Sequence, residues 1–175
     1  MKRKLWAMIC VLLVLFCTGC GDTDKNKGSG TAQGPAGILS DIVDQIYEQK
    51  DPGINVGTIP IDLSDADMVK IYTGLDSADA VSEAVASESL MGSQAYSLVL
   101  VRVWDEDETA EVAKAMREGI DQRKWICVEA DDLKVVGCGD VVMLFMVSSE
   151  LADTVTSAEM VEAFKEVCGG TLTVE

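Results

Sequence analysis

The chain has 175 residues, with 14 basic and 30 acidic side chains, no histidine and a formal net charge of −16. That charge repels nucleic acid and anionic lipid, so neither is an expected partner of the folded part. The missing histidine removes Ser-His-Asp and Cys-His mechanisms, histidine acid–base work and the commonest metal ligand.

Lys2, Arg3 and Lys4 form a basic head, residues 5–16 are apolar, and Cys17, Thr18, Gly19 and Cys20 follow. A basic head, a short apolar stretch and a small residue at the cut make a secretory signal. The apolar run is too short to span a bilayer, which takes roughly 20 residues. Thr18, Gly19 and Cys20 resemble the lipobox read by lipoprotein signal peptidase, although Cys17 stands where Leu is usual. Residues 1–19 therefore read as a lipoprotein signal peptide and Cys20 as the lipidation site. Only a thiol can take the diacylglyceryl thioether, and two or more acyl chains anchor a protein stably. The expected location is the extracytoplasmic face of the cell membrane, held by lipid. Losing Lys2, Arg3 and Lys4 with the leader takes the 14 basic residues to 11 against 30 acidic ones, a net charge of −19. The bland account of that charge is solubility, and it is the preferred one.

Residues 20–37 read as the lipidated cysteine and a flexible linker. GDTDKNKGSGTAQGPAG contains no large apolar side chain and is rich in Gly, Ser, Thr, Asn and Asp. A linker of this kind spans about 23 Å on average. Residues 38–175 are long enough for one compact domain.

In that domain Ile38, Leu39, Ile42, Val43 and Ile46 form one helical stripe, ended near Asp51-Pro52-Gly53. Residues 54–63 read as extended, with Pro60 arguing against a central strand. Ser64 is placed as the cap of a short helix with Met68, Val69 and Tyr72 inward, ended by Gly74. Residues 80–91 lack a clean period and fit strand or helix equally. Residues 97–104, SLVLVRVW, read as a strand. Asp105 to Glu108 opens a helix carrying Val112, Met116 and Ile120. Residues 125–128, 133–136 and 141–147 read as three more strands, with a hairpin turn at Gly137-Cys138-Gly139-Asp140. Ser157 is placed as the cap of a last helix with Val161, Phe164 and Val167, closed by Gly169-Gly170. Short turns favour antiparallel pairing. The expected fold class is α+β: one largely antiparallel sheet of about four strands, packed with helices in a single domain.

The order of these motifs resembles the bacterial lipoproteins grouped as domain of unknown function 4358. The lipobox with its linker, the Ile-rich first helix, the IYTGLDS segment, the WDEDETAEVAKAMREGI helix and the GCGDVVMLFMVSS strand carry the resemblance. It implies a small exported α+β domain, often lipid-anchored, and supplies no catalytic residues.

The mature chain would hold four cysteines: Cys20 for the lipid, then Cys127, Cys138 and Cys168. In an oxidising compartment these three form at most one internal disulfide, and spacing does not name the pair. The alternative, all three reduced and buried, is preferred slightly. Cys138, in a glycine turn, is the most exposed of them by context. No Walker loop and no G-x-S-x-G elbow occur, and Gly137-Cys138-Gly139 lacks the third glycine of a dinucleotide loop. Asp62, Asp65 and Asp67, and the run Asp105 to Glu108, match no EF-hand order and read as helix-start charge. A thiol or Ser-Lys nucleophile would need a more electropositive setting than this chain offers. No catalytic residue, metal or cofactor is assigned. The expected function is a non-enzymatic binding or assembly accessory at the cell envelope, with an envelope protein as partner. The alternatives are a small-ligand or solute-binding lipoprotein and an envelope hydrolase using carboxylates or a thiol.

Overall fold

The computed structural model describes residues 34–175. The expected signal peptide, Cys20 and residues 20–33 of the expected linker lie outside the described residues. The elements are α1 (Leu39–Gln49), β1 (Val56–Pro60), α2 (Ala66–Thr73), β2 (Val81–Ser89), β3 (Tyr96–Val103), α3 (Thr109–Gly119), β4 (Asp132–Cys138), β5 (Val141–Val147) and α4 (Ser157–Val167). The strands form one antiparallel sheet in the order β1-β2-β3-β5-β4. The fold class is α+β, as the turns and patterning predict, with five strands rather than about four.

Both faces of the sheet are covered, which explains β5. All seven of its residues are buried, VVMLFMV, with no polar alternation. A strand roofed on both sides must be apolar on both sides. Under α1 and α4, Leu98 and Leu100 of β3 join Met143 and Phe145 of β5 with Ile42, Ile46 and Phe164. Tyr96 meets Phe145 edge-to-face at 5.1 Å. Its hydroxyl donates to Tyr47 (3.1 Å), which donates to Ser87 (2.8 Å), so the buried phenols are satisfied. On the other face, α2 and α3 cover Val99, Val101, Leu144 and Met146.

The ambiguous stretch 80–91 is a strand. Two features hid it. A register shift between Val81 and Glu83 breaks the alternation. Its charged residues also have partners: Glu83 accepts from the Leu39 N–H (2.9 Å) and serves as the missing cap of α1. Residues 125–128 form no strand, contrary to expectation, as described below. Pro60 lies in β1, an edge strand, where its missing N–H costs no ladder bond.

Two caps sit one residue from their expected places. Asp65, not Ser64, caps α2, accepting from the Asp67 and Met68 N–H groups at 3.0 Å; the Ser64 hydroxyl is taken by Asp62. Thr156, not Ser157, caps α4 in a capping box with Glu159. The Ser157 hydroxyl instead donates to Asp132 (2.6 Å). Ile38, placed on the inward stripe of α1, is the exposed N-cap residue.

Gly74 ends α2 in the left-handed region, with φ +80°. A Cβ there would run into the Ile120 nitrogen and the Gly119 carbonyl carbon. Gly74→Ala is therefore expected to destabilise the domain by at least ~1–2 kcal/mol in a urea titration, from the conformational penalty alone.

Candidate functional site

The segment read as a strand at residues 125–128 is a closed surface loop. Its neck is a reciprocal pair: Ala130 N–H donates to the Gln122 carbonyl (2.9 Å), and the Gln122 side-chain amide donates to the Ala130 carbonyl (2.6 Å). Arg123 and Glu129 form an ion pair across it. A short surface loop with touching ends is an Ω-loop. Trp125, Ile126 and Val128 are strand formers, but none of them pairs with the sheet. β4 already pairs with β5, and its outer side is met by Val174, whose carbonyl accepts from Gly137 N–H (2.9 Å).

Lys124 fastens the loop to the sheet. Its side chain is only 8% exposed and is ion-paired with Glu88 of β2. The ammonium donates to the Ser97 hydroxyl (3.2 Å), and Ser97 donates to Glu88 (2.8 Å). Two aromatic faces complete the cage, Tyr72 at 5.0 Å and Trp125 at 5.2 Å from the nitrogen. Burial pulls the Lys124 pKa below its ordinary value, and Glu88 opposes that pull. A Ser–Lys contact invites comparison with a nucleophile dyad. Here Ser97 is fully buried beneath the lysine and its proton points at Glu88, so no acyl carbon can approach it. The geometry is that of a fastening. Sequence reading missed Glu88, Ser97, Tyr72 and Lys124. The one available signal was a lysine set directly against the apolar run Trp125 to Val128.

The loop's outer side is different. Ile126 is fully exposed, and Cys127 is exposed beside it. A wide-open depression runs from Trp125 and Glu129 to Ser148 and Glu150. Asp131 lies on its rim, accepting from the Ser149 N–H (2.6 Å) and hydroxyl (2.7 Å), which holds its carboxyl below the usual carboxylate range.

The other cysteines are elsewhere. Cys138, expected to be the most exposed, is fully buried as the last residue of β4, under α1 and α4. The turn proper is Gly139-Asp140, with Gly139 at φ +55°, and Cys138 falls inside the strand before it. Cys168, the half-buried C-cap of α4, packs against the same buried cluster that contains Cys138. Burial pushes both thiols up. No disulfide joins Cys127, Cys138 and Cys168 in the structure. Cys20 lies outside the described residues.

The acidic clusters serve helix ends. Asp62 accepts from Ser64, Asp65 caps α2, and Asp105 accepts from the Asp107 N–H (3.0 Å) at the 3-10 turn Glu106–Glu108. Among the described residues, no group of three or more His, Cys, Asp or Glu is placed to hold a metal ion. No described helix is long and apolar enough to cross a membrane.

The chain enters at the opposite end of the sheet from the loop. Arg102 of β3 donates to the carbonyls of Gly37 (2.8 Å) and Pro35 (3.2 Å) and is ion-paired with Asp140 (2.9 Å). Residues 34–37, expected to belong to the free linker, are thus tied to the domain. Arg102 lies five residues along β3 from Ser97, the anchor of Lys124. At ~3.4 Å per residue that is about 17 Å. Comparison of the chain with family profiles, with characterised proteins and with solved structures finds no match.

Proposed function

We propose that this chain is a lipid-anchored protein of the extracytoplasmic membrane face, and that its domain is a non-enzymatic binding or assembly module for an envelope protein. Kinship with the lipoproteins grouped as domain of unknown function 4358 is part of that proposal. The contact surface is the Ω-loop closed by Gln122 and Ala130. One observation carries the reading: the loop and the root of the tether stand at opposite ends of the sheet. A domain held by its Arg102 end presents the loop away from the anchor.

Two further features support it. The loop is already ordered by Lys124 and by its neck, so a partner meets a surface whose ordering cost is already met. Ile126 supplies an apolar contact in a rim containing Glu129, Asp131 and Glu150, which favours a neutral or cationic partner over an acidic one.

Chemical cross-linking in intact cells tests the reading, with the lipidated protein as bait. One specific envelope protein is expected with the native chain. It should fall about tenfold with Ile126→Asp, which removes an exposed contact and touches no core residue. Equal capture by the variant would sink the loop as the contact surface. Absence of any adduct would sink the accessory role.

A further inference from the structure

We infer that Cys138 and Cys168 are a disulfide pair that closes under oxidation, while Cys127 stays outside it. The positions of α4 and β4 carry the inference. At its start α4 is fixed to the start of β4, where Ser157 donates to Asp132 through its N–H (2.9 Å) and its hydroxyl (2.6 Å). At its end Cys168 packs against the buried cluster that holds Cys138, the last residue of β4, and each thiol shifts the titration of the other. The lengths agree: 11 helical residues rise about 16 Å, and the six steps of β4 span about 20 Å. The helix therefore lies along the strand, with the two cysteines packed in one cluster at the same end. A disulfide joins cysteines whose Cα atoms stand about 4.4–6.8 Å apart, so the bond would form where the end of β4 and the end of α4 come together. Cys127 stands in the loop at the other end of the sheet.

The oxidant is a small disulfide of the glutathione class. The half-buried Cys168 attacks it as thiolate, forming a mixed disulfide and releasing one small thiol. The Cys138 sulfur then attacks the Cys168 sulfur and expels the second. One Cys138–Cys168 bond forms, the small disulfide is reduced to two thiols, and the two cysteine protons end on them. Burial of both thiols makes the exchange slow at neutral pH and faster as pH rises. The product would staple the last helix to the β4–β5 hairpin.

The test is oxidation of the full-length chain with excess oxidised glutathione, blocking with iodoacetamide, and tryptic digestion without reduction. Cleavage after Lys124, Lys134 and Lys165 puts Cys127, Cys138 and Cys168 in separate peptides, 125–134, 135–165 and 166–175. The expected product is 135–165 joined to 166–175, two hydrogens lighter than their sum. The peptide 125–134 should carry glutathione or the blocking group. Separate modification of Cys138 and Cys168, or a link from either to another cysteine, overturns the assignment. The oxidised protein should also lose roughly 10 °C in Tm when reduced, and Cys168→Ala should show no such response. An unchanged Tm in the native chain counts against the pair.

Discussion

Cys20→Ala is expected to move the protein almost entirely from the membrane fraction to the soluble extracytoplasmic fraction. The reason is chemical. Alanine has no sulfur to carry the diacylglyceryl group. No described helix suits a membrane span, and a net charge of −16 repels an anionic surface. Each buried methylene of an acyl chain contributes about 0.8 kcal/mol, so the loss of two or more chains removes the anchor outright. Fractionation with immunoblotting reads the result. Continued membrane association of the alanine form would contradict lipidation at Cys20.

Glu88→Gln is expected to destabilise the domain by about 2–3 kcal/mol, and more than Lys124→Met does. The asymmetry follows from exposure. Lys124 is 8% exposed and Glu88 24%. Removing the carboxylate leaves an ammonium buried without its counter-charge, which is the costly way to break a buried pair. Replacing the lysine with methionine keeps most of the volume against Tyr72 and Trp125. The remaining carboxylate keeps Ser97 and some water. Urea titration of both variants measures the difference. Equal, small effects would mean that the lysine does not fasten the loop.

Much of this fold is legible in the residues, and the failures have identifiable physical causes. The stripe of α1, the glycine ends of α2 and α4 and the strand β3 follow from period and capping chemistry. β2 escaped because a bulge reset its alternation and its glutamates answer groups far away in the chain. The loop escaped in the opposite sense. Trp125 to Val128 have strand propensity, and only the tertiary arrangement shows them held in a closed loop by the Gln122–Ala130 neck and Lys124. Its fastening joins residues 88, 97 and 124, a separation no local pattern reports. Cys138 was misplaced because a glycine on either side suggests a turn, whereas the chain turns only after it.

The central claim is that the Ω-loop is the surface that meets a partner. Its most direct test is a photo-crosslinking amino acid placed at Ile126 in the full-length protein in living cells, with the same group at the exposed Lys114 of α3 as control. The account predicts a discrete adduct with one envelope protein from position 126 and none from position 114. Adducts of equal yield from both positions, or from neither, would contradict it.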